Sequence, residues 1–352
     1  MSKQEIVNRY QESVKVKQVL KQIQKDKNQI QITNLVGSSM SLVISETFKK
    51  DDKSYLLIFN DKEEAAYHLN DLEQLLTQKR VLFYPGSYRR PYQIEETDNA
   101  NVLMRSEVLN RINSRKKPAI IVTYPEALFE KVVTKKDLER NTLKLSVSES
   151  VSLDFVNEIL FEYNFNRVDF VTEPGDFSVR GGIIDVFSFS NDEPFRIEFF
   201  GDEIDSIRTF DVETQLSKEK LRKASIMSNV ENKTLQEKRQ SFLDYISLKT
   251  VVFIKNRELL IGNLDKLFTK AEAAFDDLSK DLSHSKPADL FCDGDFIKNQ
   301  LNEFTVVSLD TYTYKNQPII DFTTKAQPSF NKQFDLLIDN LNEHHDKGYT
   351  NY

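Results

Sequence analysis

A chain of 352 residues has room for two or three domains, and 39% hydrophobic with 29% charged residues describe an ordinary globular composition. The net charge of −7 argues against nucleic acid as the partner of the chain as a whole. The single Cys292 excludes a disulfide framework and a multi-cysteine metal site and fits a reducing cytosol. There is no run of eighteen apolar residues, and the opening MSKQEIVNRY lacks the apolar core of a signal peptide. A soluble, cytoplasmic protein with no membrane partner is expected.

Residues 5–26 carry Ile6, Tyr10, Val14, Val16, Leu20 and Ile23 at roughly helical spacing. Residues 29–36 read as a strand, and Gly37-Ser38-Ser39-Met40-Ser41 opens a helix to about residue 50. The run SYLLIFN at 54–60 is a continuous apolar strand, and Asp61 caps a helix through residue 76. A third strand at 81–84 stops at Pro85-Gly86, and the polar stretch 87–101 reads as a loop. A helix at 102–114 leads to a fourth buried strand at 119–124. Strands alternating with helices, the strands apolar throughout, predict a parallel α/β sheet.

From about residue 131 the pattern changes. Residues 141–147 alternate like a strand, 153–163 form an amphipathic helix, and 173–215 are rich in hairpin signals. This predicts a compact α+β domain over residues 131–213. Beyond it, 221–227 alternates, 240–248 is a short helix, and TVVFI at 250–254 is another buried strand. A long helix spans 257–278, interrupted by Gly262, and strands follow at 305–309 and 319–322 with an amphipathic helix at 330–345. The expected organisation is one α/β domain in two halves, 1–130 and 214–345, split by the insertion. Residues 346–352 read as the start of a following segment.

Several places look like chemistry. Strand–Gly–helix at 36–37 is where a phosphate loop would sit, but the motif needs a second glycine followed by Lys and Ser/Thr. Gly-Lys occurs nowhere in the chain, so a plain turn is expected there and no cofactor. Asp202-Glu203-Ile204-Asp205 matches the helicase Asp-Glu-x-Asp pattern, but those acids hold Mg²⁺ only against a nucleotide, and a turn between strands is expected instead. His344-His345 lack partners at zinc spacing, and Cys292, beside Asp293 and Asp295, has no basic neighbour to activate it. The lysines between 15 and 27 read as the wet face of a helix. Tyr88, Arg89, Arg90 and Tyr92 interleave aromatic and basic residues, which leaves weak nucleic-acid contact open as an alternative.

The stretch 173–215 carries most of the information. Between residues 162 and 213 there are four arginines, no lysine and thirteen acids, a balance that repels phosphate and suits protein interfaces. In Phe195-Arg196-Ile197-Glu198-Phe199-Phe200, the alternation puts Phe195, Ile197 and Phe199 on one face and Arg196, Glu198 and Phe200 on the other. Ser178 and Arg180 fall opposite Phe177 and Val179, and Gly181-Gly182 marks a bulge or a close backbone approach. A large aromatic on a charged face needs an explanation. On residues alone, two readings stand side by side. Arg180, Arg196 and Phe200 form a partner-binding hot spot, or Phe200 tucks under a loop and the arginines pair with local acids.

The run EPGDFSVRGGIIDVFSFSNDEPFRIEFFGDEIDSIRTFDVETQ resembles the signature of bacterial transcription-repair coupling factors, in the region they share with UvrB. The spaced features are Pro174-Gly175-Asp176-Phe177, Arg180-Gly181-Gly182, Asp185-Val186-Phe187, Arg196 to Gly201, Phe210-Asp211 and Thr214-Gln215. The resemblance implies a split, degenerate helicase-like α/β domain carrying a smaller inserted domain, with the nucleotide loop lost at 37–41. It implies a non-catalytic adaptor in nucleotide excision repair, whose insert recruits UvrA through Arg180, Arg196 and Phe200. It also implies that contacts to RNA polymerase and DNA, and an ATP-driven motor, belong to other parts of such proteins.

Overall fold

The computed structural model describes residues 3–76, 80–87, 99–114, 117–229, 238–278, 285–309 and 317–349. Seven parallel strands form its main sheet, in the spatial order Ile319–Asp321, Gln29–Thr33, Thr305–Ser308, Val251–Ile254, Tyr55–Ile58, Ile120–Thr123 and Val81–Phe83. All six pairings are parallel. The four strands Tyr55–Ile58, Ile120–Thr123, Val251–Ile254 and Thr305–Ser308 are buried at every residue. Helices cover both faces of such a sheet, which is why its strands carry no polar alternation. Val251–Ile254 pairs with Tyr55–Ile58, so strands from before and after the insertion hydrogen-bond directly. The sheet is one unit split in sequence.

Local rules explain much of the helical frame. Asp61 accepts from the Glu64 amide at 2.8 Å and opens the helix Lys62–Leu75. Gly262 does not interrupt its helix, which runs unbroken over Arg257–Leu278. The apolar periodicity of residues 5–26 is divided at Ser13 into the helices Lys3–Glu12 and Val14–Ile23.

Two buried polar groups hold the sheet's surroundings. Arg105 lies between Glu130 and the backbone that follows the strand Val81–Phe83. Its Nη2 is 3.3 Å from Glu130 Oε2, and its Nη1 donates to Pro85 O at 2.8 Å. Glu130 also accepts from the Ser87 amide at 2.8 Å and from Ser87 Oγ at 2.5 Å. The guanidinium sits 4.4 Å over the Tyr84 ring, which stacks on Phe242 from the other half of the domain.

His68 is buried, stacked on Phe59 with its Nδ1 2.8 Å from Ser41 Oγ. Burial, with Lys255 adding to it, pulls its pKa down to about 4. The imidazole is therefore neutral in the folded chain and takes up a proton on unfolding below about pH 6.5. Stability is complete above that pH and falls as pH drops toward about 4, by on the order of 3 kcal/mol. Urea unfolding from pH 7 to 4.5 should show this slope, and His68→Gln should flatten it.

The second unit is a six-stranded sheet in the order Ser217–Leu221, Glu203–Phe210, Phe195–Phe200, Ile183–Val186, Asp176–Arg180 and Asn166–Arg167. Its pairings are antiparallel except the last. One face packs on the helix Leu153–Glu162, with Val156 and Leu160 against Phe177, Ile184, Phe195, Ile197 and Phe199. Lys223–Met227 pairs with Thr142–Ser146, and Ala224 and Ile226 join the same core. Strands on both sides of residue 213 thus share this unit's hydrogen bonds and packing.

A candidate partner-binding surface

The six-residue strand Phe195–Phe200 alternates as its sequence requires: Phe195, Ile197 and Phe199 are buried, while Arg196 and Glu198 are half-buried. Phe200 is 84% exposed. It pairs with Glu203 across the two-residue turn Gly201-Asp202, where Gly201 takes φ +62°, a region that favours glycine. One residue of Glu203–Phe210 bulges between the Glu198–Ser206 and Phe199–Ile204 pairs. Asp202 to Asp205 are the turn and the first residues of that strand.

Cross-strand register places the three expected contact residues on one face. Arg180 lies opposite Ile183, and Ile183 opposite Glu198, which flanks both Arg196 and Phe200 at period 2. The hairpin between Arg180 and Ile183 brings backbone close: a Cβ on Gly182 would sit 3.0 Å from Phe199 O. A close approach is what Gly181-Gly182 suggested.

The arginines are not free arms. Both bind Asp185, a buried acid on the strand Ile183–Val186. Arg196 makes a two-pronged contact, Nε to Oδ1 at 2.7 Å and Nη2 to Oδ2 at 2.8 Å, and Arg180 Nη2 donates to the same Oδ2. Arg196 Nη1 also donates to Gln215 O at 3.1 Å, and its guanidinium lies 4.6 Å over the Phe210 ring. The hydrogen bonds to Asp185 raise the Arg196 pKa above its ordinary value. Arg180 lies 5.4 Å over the exposed Phe170 ring. The side chain of Arg196 is 16% exposed and that of Arg180 43%. The pairing of arginines with a local acid therefore occurs, while Phe200 stays open.

Part of this face is roofed. Ser178 Oγ donates to Asp169 O at 3.1 Å, and Gln215 Nε2 donates to Val171 O at 3.3 Å. Val171, Phe187 and Phe210 form a small apolar cluster of their own, with Val168 and Val212 packed on it. On the open side, Arg208 Nη2 meets Glu198 Oε2 at 2.5 Å. Asp185, Phe210 and Gln215 stand in the motifs that carry the resemblance, but neither they nor Phe170 were expected at the contact face. One signal was there: an acid inside the apolar run Ile183-Ile184-Asp185-Val186 is a buried charge that needs a cation.

After the strand Gln29–Thr33, the turn at Gly37 enters the helix Ser39–Phe48. Ser39 Oγ is engaged with the Val36 amide at 2.9 Å and carbonyl at 2.7 Å, and Ser41 with His68. Cys292 is buried, which pushes its thiol up to about 12. His344 and His345 end the helix Phe334–Asp346. Among the described residues, no three His, Cys, Asp or Glu side chains converge as a metal site, and no helix is long and apolar enough to cross a membrane. Tyr88, Arg89, Arg90 and Tyr92 lie outside the described residues.

Comparison with known proteins adds to this geometry. The family described as UvrB interaction domain matches residues 143–231, which contain Arg180, Asp185, Arg196 and Phe200. The transcription-repair-coupling factor of Bacillus subtilis is 30% identical over 270 residues, 74% of this chain and 23% of that protein. That of Staphylococcus haemolyticus is 34% identical over 202 residues, covering 56% of this chain and 17% of its own length. That of Staphylococcus aureus strain USA300 is 34% identical over 200 residues, 55% and 16% respectively. The chain therefore spans less than a quarter of the length of these curated relatives.

Proposed function

We propose, from the match of residues 143–231 to the UvrB interaction domain family and the similarity to transcription-repair-coupling factors, that the inserted sheet of this chain is a non-catalytic docking module for UvrA in transcription-coupled repair. The observation that carries the reading is Phe200, a phenylalanine 84% exposed on the half-roofed sheet face that also carries the two Asp185-bound guanidiniums. An isolated apolar ring flanked by arginines is the composition of an interface hot spot, and its burial against a partner would supply most of the contact energy. The acid-rich setting, four arginines against thirteen acids over residues 162–213, favours a protein partner over phosphate backbone.

In this reading nucleotide chemistry lies elsewhere in the longer proteins. The turn at 37–41 offers no Gly-Lys, and all three of its serines are hydrogen-bonded within the chain. The 202–205 acids sit in a hairpin with no phosphate loop to serve.

Calorimetric titration of purified UvrA with this chain tests the proposal. Saturable binding with Kd of about 10 μM or tighter is expected, the range of an interface with a small number of anchors. Absence of heat and of co-elution at tens of micromolar would remove the reading.

A further inference from the structure

We propose that Asp185 is a positioning residue of this docking surface: one buried carboxylate that aims both guanidiniums, leaving Arg196 as an internal strut and Arg180 as the outward donor. The inference rests on the docking reading above and names how that surface is built.

Both oxygens of Asp185 are engaged, Oδ1 by Arg196 Nε and Oδ2 by Arg196 Nη2 and Arg180 Nη2. The three residues come from three adjacent strands, since Asp185 is opposite Arg196 on one side and Ser178, two before Arg180, on the other. Burying a carboxylate carries a desolvation cost that an ion pair often only offsets, and a packed apolar residue would stabilise the strand at least as well. A buried acid here is therefore poorly explained by stability. What it supplies is geometry: the fork-to-carboxylate contact fixes the Arg196 guanidinium in plane and direction, and the same Oδ2 holds Arg180 Nη2.

The two arginines differ in what remains to them. Arg196 is held by Asp185, by Gln215 O and by the face of Phe210, so it ties the sheet to the roof. Arg180 is held by Asp185 and rests on Phe170, with 43% of its side chain open to solvent. Its contacts to Asp185 and Phe170 restrict this long side chain in the free chain, which lowers the entropy lost on docking. Because Asp185 already neutralises one of the two cations, the complementary surface is an apolar pocket for Phe200 rimmed by a small number of carbonyl or carboxylate acceptors. A strongly acidic patch is not required.

UvrA affinity of the whole chain, with thermal unfolding as control, tests this. Asp185→Asn should weaken binding roughly tenfold, as expected for loss of a charge-assisted contact that orients a hot-spot donor. In an Arg180→Ala background the same substitution should cost little more, because Asp185 acts through that arginine. Equal, additive losses in both backgrounds would mean a general structural role and overturn the proposal. So would unchanged or tighter binding by Asp185→Asn. Should Asp185→Asn fail to fold, Asp185→Glu decides: it keeps the charge and displaces the carboxylate by one methylene, so weakened binding supports the proposal and wild-type affinity refutes it. Phe200→Ala separates the two levels. Loss there with none at Asp185 sinks only the positioning role, whereas no loss at Phe200 sinks the docking surface itself.

Discussion

Truncating Phe200 to alanine is expected to weaken UvrA binding about thirtyfold, roughly 2 kcal/mol, while leaving the unfolding temperature unchanged. The two halves of that expectation have separate physical grounds. In the free chain the ring is 84% exposed and belongs to no apolar cluster, so its removal opens no cavity. Surface substitutions of this kind stay within about 0.5 kcal/mol of the parent. In a complex the same ring loses its water, and full burial of a phenylalanine contributes roughly 1.5–3 kcal/mol. Its neighbour provides the contrast: Phe199 is buried in the core of the insert, and Phe199→Ala should lower stability first and binding only as a consequence. Calorimetry with a circular-dichroism melt of each variant reads both quantities. Wild-type affinity in a folded Phe200→Ala chain would end the hot-spot assignment.

Arg105→Ala is expected to cost about 3–5 kcal/mol of folding stability, a large fraction of the roughly 5–15 kcal/mol a domain commands. Arg105 is fully buried, and its loss removes the cation facing the buried Glu130, whose carboxylate still accepts from the Ser87 amide and hydroxyl. The Pro85 carbonyl loses its donor and the Tyr84 ring its cation at the same time. The cause of the loss is the stranded charge more than the missing bond, so a second substitution can separate them. Arg105→Ala with Glu130→Gln should recover part of the stability, since an amide still accepts from Ser87 without carrying charge. Urea denaturation at pH 7 measures both. A double variant no better than the single one would show that packing around Tyr84 and Phe242 dominates instead.

How much of this was readable in advance depends on the range of the interaction concerned. Tyr55–Ile58, Ile120–Thr123 and Val251–Ile254 announce themselves as unbroken apolar runs, because a strand covered on both faces has no polar side. The period-2 pattern of Phe195–Phe200 likewise assigns each side chain to a face. The spatial order of the sheet is not in those runs: Thr305–Ser308 lies between Gln29–Thr33 and Val251–Ile254, a placement made by long-range pairing alone. The pairing of Lys223–Met227 with Thr142–Ser146, some eighty residues earlier, is of the same kind.

For the candidate site, family resemblance pointed to Arg180, Arg196 and Phe200, and strand alternation put Arg196 and Phe200 on one face. By itself the sequence determined the α/β elements, the inward and outward sides of the insert, and the absence of any Gly-Lys phosphate loop. Only the tertiary structure decided which of the outward groups are spoken for. Asp185 and Arg196 are eleven residues apart yet directly opposed, and the Gln215 carbonyl reaches Arg196 from a loop nineteen residues on. Local pattern reports which way a side chain points. Whether a charge there is already neutralised depends on neighbours brought in by register and loop closure, and this is why Phe200 remains open while Arg196 does not.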